Sequence, residues 1–134
     1  MAISPESSAR ERTADITTIG ARTGRRRRIE IWFYRVGSEI YLTSSPARRD
    51  WYANIVRTPR FTFHLKHGVR ADLAAYGTPI TDRAERARIL RAVVDDLNQP
   101  ANPAGILQPV EPLSAWIEGS PLVHVALPAG AARR

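Results

Sequence analysis

The sequence predicts a mainly β, antiparallel barrel with added helices, an α+β fold. Five or six short stretches have strand-like alternation or β-branched content, tight connections join most of them, and only two stretches have helical spacing. A doubly wound parallel sheet would need more helices. The chain has 134 residues, the length of one domain. We therefore expect one barrel domain over residues 13–127, between a flexible segment at 1–12 and a tail at 128–134.

Three strands are predicted in the first part of the chain. Residues 15–19 have the β-branched content of a strand and are followed by a glycine. Apolar residues alternate over 29–34, which predicts a second strand with two distinct faces. The pair Gly37-Ser38 predicts a tight turn into a third strand at 39–43. The second and third strands should therefore form a hairpin.

Two helices are predicted. Apolar residues at helical spacing from about 49 to 57 indicate a short amphipathic helix, which cannot continue past Pro59. Asp82 with Glu85 three positions later is typical of a capping box. The helix that follows has an apolar stripe formed by Ile89, Leu90, Val93, Val94 and Leu97.

The remaining stretches predict further strands and one long loop. Residues 61–65 and 69 to about 76 alternate, and residues 121–127 have the composition of a closing strand. Four prolines between residues 98 and 112 predict a loop, a candidate cover over a site.

The positive charge is concentrated in one half of the chain. The formal net charge is +7, and 19 of the 20 basic residues are arginine. Residues 1–67 hold 13 Lys or Arg and 6 Asp or Glu, whereas residues 68–134 hold 7 of each. Arginine binds phosphate and carboxylate through a planar fork of donors. The basic half implies an anionic partner: nucleic acid, an acidic lipid surface, or a small ligand with several negative charges.

Several classes of protein are disfavoured. The chain has no cysteine, no apolar segment of signal-peptide length and no run of about 18 apolar residues, which favours a cytoplasmic protein with no membrane span. Gly20 and Gly24 fit neither the dinucleotide-binding fingerprint nor the Walker spacing. His64 and His67 have no cysteine or adjacent carboxylate to complete a ligand set, so no metal site is expected.

The stretch GARTGRRRRIEIWFYR, residues 20–35, places four consecutive arginines between a glycine turn and an apolar strand. The longer run 16–60 contains two motifs in order. They comprise Thr17, Thr18, Gly20, Thr23, Gly24 and Arg27, and then Trp51, Tyr52, Asn54, Ile55 and Pro59. In these motifs the chain resembles the actinobacterial deazaflavin-dependent nitroreductase family, and the likeness extends over roughly residues 13–97.

The resemblance implies a split β-barrel of the FMN-binding type and the cofactor F420, a deazaflavin with a phosphate and an oligoglutamate tail; FMN is the alternative. A polyanionic tail would explain the charge of the basic half. The implied cofactor-binding residues are Arg22, Thr23, Gly24, Arg27 and Arg28 in the glycine turn, Thr43, Ser44 and Ser45 after the third strand, and Trp51 and Asn54 on the short helix. The lysine that the family has after the third strand is missing here, and Arg48 or Arg49 is expected to supply its charge.

Some of these residues have a second interpretation. Arg22 and Arg27 are the expected direct contacts, because strand alternation prevents the whole arginine run from binding one group. Trp51 and Asn54 can instead anchor the short helix. Trp32 and Tyr34 share a strand face and are candidate substrate-binding residues, or they pack beneath the helices.

Three function classes follow. The first is an F420-dependent oxidoreductase that moves hydride to an electron-poor small molecule such as a quinone, an enone or a nitro compound. It needs no catalytic side chain of its own, and none is assigned, because the cofactor carries the chemistry. The second is a barrel that binds a flavin or sequesters a cofactor without turnover. The third, not favoured, is a nucleic-acid-binding module with an aromatic and basic surface. A homodimer through an exposed barrel face is left open.

Overall fold

A computed structural model describes residues 12–67, 69–98 and 110–127. These residues form a closed antiparallel barrel with strand order β1-β2-β3-β6-β5-β4, together with three helices. The elements are β1 (Thr13–Ile19), β2 (Arg26–Val36), β3 (Glu39–Thr43), α1 (Asp50–Arg57), β4 (Arg60–Leu65), β5 (Ala71–Pro79), α2 (Arg83–Leu97), α3 (Leu113–Gly119) and β6 (Leu122–Ala126). The predicted barrel with added helices is confirmed. No helix in the described ranges is long and apolar enough to cross a membrane.

The barrel interior follows from strand alternation. Every second residue of a strand faces inward, and the inward residues of β2 and β4 include Ile31, Phe33 and Phe63, all buried. The rings of Phe33 and Phe63 meet edge to face with centroids 5.4 Å apart. The predicted Gly37-Ser38 turn is also confirmed, because β2 and β3 pair from Val36 and Glu39 onward.

Helix α1 packs into one end of the barrel. Ile55 is fully buried, and Gly77 on β5 leaves room for it, because a Cβ at Gly77 would lie 2.6 Å from Ile55 Cγ2 and 3.0 Å from Val123 Cγ1. Helix α1 leads directly into the start of β4, and Thr62 near that start pairs with Thr17 near the end of β1. The end of β1 is where the chain turns into β2. Helix α1 and the β1–β2 turn therefore share one end of the barrel.

A second apolar cluster lies outside the barrel. The predicted stripe of α2 is buried there against the outer faces of β2 and β3. Asp82 caps α2 by accepting from the N–H of Glu85 over 2.9 Å, so the capping box is confirmed on the side of its aspartate. Tyr34 and Tyr41 contribute their rings to the same cluster.

The structure differs from the prediction in two places. Helix α3 was not predicted, since it has seven residues and its N-cap residue, Pro112, makes no side-chain capping bond. Packing forms it instead: Trp116 is 1% exposed, and Arg86 of α2 donates to carbonyls at its C-terminal end. Arg12 was placed in a flexible segment, yet it is 1% exposed, pairs with Asp96 and lies over the ring of Trp32.

Other predictions lie outside the described residues. They concern the flexible segment up to residue 11, the tail at 128–134 and most of the proposed covering loop, residues 99–109.

Candidate functional site

The turn between β1 and β2 has a defined shape. The N–H of Gly20 donates to the carbonyl of Arg25, and the N–H of Gly24 donates to the carbonyl of Gly20, both over 2.8 Å. Gly24 has a φ of 69°, which glycine adopts without strain. The Thr23 hydroxyl accepts from the N–H of Arg25 over 3.2 Å, which leaves its proton available to a ligand. We call residues 20–28 the arginine turn.

The structure divides the five arginines of this turn by their partners. Arg28 donates from Nε to Asp15 Oδ2 over 2.9 Å. The other four are exposed and pair with no carboxylate of the described residues: Arg22, Arg25, Arg26 and Arg27. Within β2, Arg27 has the parity of the inward-facing Ile31, whereas Arg28 has the opposite parity. Arg27 therefore lies at the rim of the barrel interior.

Asn54 connects α1 to the arginine turn. Its Oδ1 accepts from the N–H of Ala21 over 2.8 Å, and its Nδ2 donates to the Thr18 hydroxyl over 3.0 Å. Asn54 is 7% exposed and Thr18 is 1% exposed. Both ends of the amide are thus bonded within the protein, so any contribution of Asn54 to cofactor binding is indirect.

The segment that joins β3 to α1, residues 43–49, lies at the same end of the barrel. The Thr43 hydroxyl donates to the carbonyl of Pro121 over 2.5 Å, which fixes the start of the segment beside the residue that precedes β6. Arg49 donates from a terminal guanidinium nitrogen to the carbonyl of Ser45 over 3.2 Å. Arg48 is exposed. We call residues 43–49 the β3–α1 segment.

Two polar atoms of the β3–α1 segment are buried without a partner among the described residues. They are Ser44 Oγ and Arg49 Nε. An unpaired buried polar atom costs free energy, and such atoms are uncommon in native proteins unless a ligand or water satisfies them. A hydroxyl and a guanidinium N–H suit the carbonyl and ring-nitrogen acceptors of a deazaflavin. The residues present therefore fit the cofactor that the resemblance implies.

The aromatic candidates lie in apolar clusters. Trp51 is buried in the barrel cluster, 6% exposed. Tyr34 is buried in the second cluster, where Trp32 is half-buried. Burial, with a smaller effect of the nearby Asp96 carboxylate, raises the pKa of the Tyr34 hydroxyl far above its usual range. Trp32 and Tyr34 thus pack beneath the helices, as the second interpretation had it, and their contact with a substrate stays a prediction.

A polar face on the outside of β1, β2, β4 and β5 was not predicted. Lys66 pairs with Glu30 and with Asp15 Oδ1, the latter over 2.7 Å. His64 Nε2 lies 2.7 Å from the Thr17 hydroxyl, and its Nδ1 lies 2.7 Å from Asp72 Oδ1. The register of the β4–β5 hairpin could have indicated the contact between His64 and Asp72, since the two residues are direct partners in that ladder. In the described ranges, no group of three or more His, Cys, Asp or Glu could hold a metal ion.

Comparisons with solved structures place the fold. The chain is similar to a conserved hypothetical protein of Mycobacterium tuberculosis, with 18% identity and a TM-score of 0.60 over 91% of this chain and 74% of that one. It is similar to an F420-H2 dependent reductase, FDR-A, with 15% identity and a TM-score of 0.55 over 86% and 94%. It is also similar to an FMN-binding, pyridoxamine 5'-phosphate oxidase-related protein of Nostoc punctiforme, with 14% identity and a TM-score of 0.59 over 87% and 70%.

Sequence comparison identifies the family. No curated protein sequence matches the chain. The family model described as F420H(2)-dependent quinone reductase matches residues 10–102, a span that contains the arginine turn, the β3–α1 segment and α1. The deazaflavin family inferred from the two motifs is thereby confirmed. The chain belongs to the F420H(2)-dependent quinone reductase family and is an F420-dependent reductase.

Proposed function

We propose that this protein binds reduced F420 at the end of the barrel that carries the arginine turn, and that its acceptor is a quinone-class small molecule. One observation supports the location most. The same end of the barrel presents four arginines that pair with no carboxylate among the described residues. Beside them lies the β3–α1 segment, in which two buried polar atoms have no described partner. The first group suits an anionic tail and the second a polar ring edge.

The tail is assigned to the arginine turn. Arg22 and Arg27 are the proposed direct contacts for its phosphate, with Thr23 and Gly24 offering a hydroxyl and an approachable backbone. Each well-formed charged hydrogen bond contributes about 1.5 to 3 kcal/mol, whereas an exposed arginine acting through solvent contributes less. Arg28 is assigned no direct contact with the tail, because it already pairs with Asp15.

The ring is assigned to the β3–α1 segment. Ser44 Oγ and Arg49 Nε would meet polar atoms of the ring edge, and Ser45 keeps the backbone approachable because its side chain is small. Arg48 would add charge near the tail. Trp51 and Thr43 support the segment from within, since their side chains are buried.

Hydride transfer from the reduced deazaflavin is the chemistry that the bound cofactor would supply. The chain's own residues then have three tasks, which are to bind the tail, to orient the ring and to leave one ring face open to the acceptor. Quinones are the favoured acceptors because the family is that of the F420H(2)-dependent quinone reductases. Nitro compounds and enones are the less favoured members of the same electron-poor class.

A direct titration tests this proposal. The protein is titrated separately with F420, FMN and a mixed oligonucleotide, and binding is followed by fluorescence. We expect F420 to bind more tightly than FMN, with no comparable oligonucleotide binding. The fold similarity to an FMN-binding protein makes FMN the second candidate. Tighter binding of FMN or of the oligonucleotide would contradict the proposal.

Turnover separates a reductase from a protein that only sequesters the cofactor. Reduced F420 is mixed with a soluble quinone, a nitro compound or an enone, and its oxidation is followed by absorbance. Oxidation that depends on protein and is fastest with the quinone is expected. Tight binding without oxidation would favour sequestration.

A further inference from the structure

We infer that Asn54 is a positioning residue, which holds the arginine turn from α1 in the shape that binds the anionic tail of the cofactor. The inference rests on the proposed function and assigns a role to a residue that does not itself contact the cofactor. The contacts that carry it lie between α1 and β1.

The orientation of the Asn54 amide is determined by its partners. A backbone N–H can only donate, so the N–H of Ala21 requires Oδ1 on that side. Nδ2 is then directed at the Thr18 hydroxyl. One side chain of α1 therefore holds the last inward residue of β1 and the residue that precedes Arg22.

The amide does not serve its own helix. The cap residue Arg49 makes no side-chain capping bond, and the C-terminal cap bond runs from the Thr58 N–H to the backbone carbonyl of Asn54. The Asn54 side chain is directed away from these groups, toward β1 and the turn. Its removal would thus leave the helical hydrogen bonds of α1 in place and free the Ala21 N–H.

A fixed turn matters because its arginines are exposed. Each guanidinium must lose conformational freedom when it binds an anion, and a mobile backbone adds to that cost. The turn has internal hydrogen bonds but presents one glycine in a left-handed conformation, which is a flexible position when unsupported. An anchor at Ala21 supplies the preorganisation immediately before Arg22.

The first test uses the cofactor-free protein. Amide exchange of Ala21 is measured by NMR in the wild type, in Asn54→Ala and in Ile55→Val, with Ile16 of β1 as the reference amide. Ile55→Val is the matched control, because it shortens a buried side chain of the same helix without a bond to the turn. We expect exchange of Ala21 relative to Ile16 to rise about tenfold or more in Asn54→Ala only. Unchanged relative exchange would overturn the inference.

The second test is a double-mutant cycle on F420 affinity with Asn54→Ala and Arg22→Ala. If Asn54 acts through the turn, its substitution weakens binding by about tenfold in the wild type and much less once Arg22 is absent. Ile55→Val should show no such coupling. Additive losses would overturn the inference while leaving the proposed function intact. A wild type that binds no F420 would instead refute the proposed function, and the inference with it.

Discussion

Arg28 shows how one carboxylate can remove an arginine from a cluster. It pairs with Asp15, while Lys66 pairs with both Asp15 and Glu30, so two cations meet two carboxylates on the outer face of the barrel. Its neighbours in the turn have no such partner among the described residues. The charge available to an anionic ligand therefore comes from Arg22 and from the arginines at 25–27.

The ion pairs of Asp15 predict a pH dependence of stability. Burial alone would raise the pKa of the Asp15 carboxyl, but hydrogen bonds and charges from Lys66 and Arg28 outweigh it and hold the pKa below its ordinary value of 3.8. A carboxyl with a lowered pKa stabilises the fold above its unfolded pKa and loses that effect as the pH falls through the folded pKa. Asp15→Asn should therefore lower the free energy of unfolding at neutral pH and have little effect near the acid limit.

Urea unfolding of wild type and Asp15→Asn, at neutral pH and at about pH 3, measures this difference. Asp95→Asn is the control, because Asp95 is exposed and has no ion pair in the parts of the chain described by the structure. The prediction fails if the free energies of unfolding of the wild type and of Asp15→Asn differ by the same amount at both values of pH.

The sequence predicts the individual residues of the site only in part. The spacing of Gly20, Thr23 and Gly24 indicates a turn because each residue acts locally. The bond from Asn54 to Ala21 spans 33 positions, and only the closed barrel brings the two residues together. The unpartnered atoms of Ser44 and Arg49 likewise depend on what surrounds them, which no local pattern contains.

Among the elements, α3 depends on a single arginine of another helix. Arg86 donates to the carbonyls of Ile80, Trp116, Ile117 and Ser120 over 3.0, 3.3, 3.0 and 2.7 Å. Three of these carbonyls lie at the C-terminal end of α3, where a positive charge is also favourable. At that end Gly119 packs near Pro46, since a Cβ there would lie 3.3 Å from Pro46 Cβ. Arg86 thus holds the end of α3 that lies next to the β3–α1 segment.

Substitution of Arg86 tests this account of α3. Arg86→Met keeps much of the apolar stem but leaves several carbonyls without a donor, so we expect a loss of about 2 kcal/mol or more in the free energy of unfolding. Chemical unfolding measures the loss. Arg88→Met is the matched control, an exposed arginine of the same helix, and should change stability little. Equal effects of the two substitutions would show that Arg86 does not hold α3.

Helices differ in how far their own residues specify them. Helix α2 is predictable because its cap and its apolar stripe both lie within the helix. Helix α1 has amphipathic spacing, and its predicted range agrees with Asp50–Arg57. Helix α3 has neither a side-chain cap nor sufficient length, so tertiary contacts form it and its sequence alone does not indicate it.

At the scale of the whole molecule, the barrel brings the arginine turn and the β3–α1 segment, two separate parts of the basic half of the sequence, to one end. Strand alternation predicts the barrel because each strand must hide one face, and the order of hairpins limits how the strands can join. Closure through β1 and β4 and through β3 and β6 is a long-range result that alternation does not specify. The sequence leaves a homodimer open, and light scattering of the purified protein measures whether one forms.

The affinity for F420 of Arg22→Ala and Arg27→Ala tests the central claim most directly. Arg91→Ala, at an exposed position of α2, is the control for loss of one positive charge outside the arginine turn. If the arginine turn binds the tail, Arg22→Ala and Arg27→Ala should each weaken F420 binding by about tenfold or more, while the control leaves the affinity nearly unchanged. Unchanged affinity in both Arg22→Ala and Arg27→Ala would contradict it.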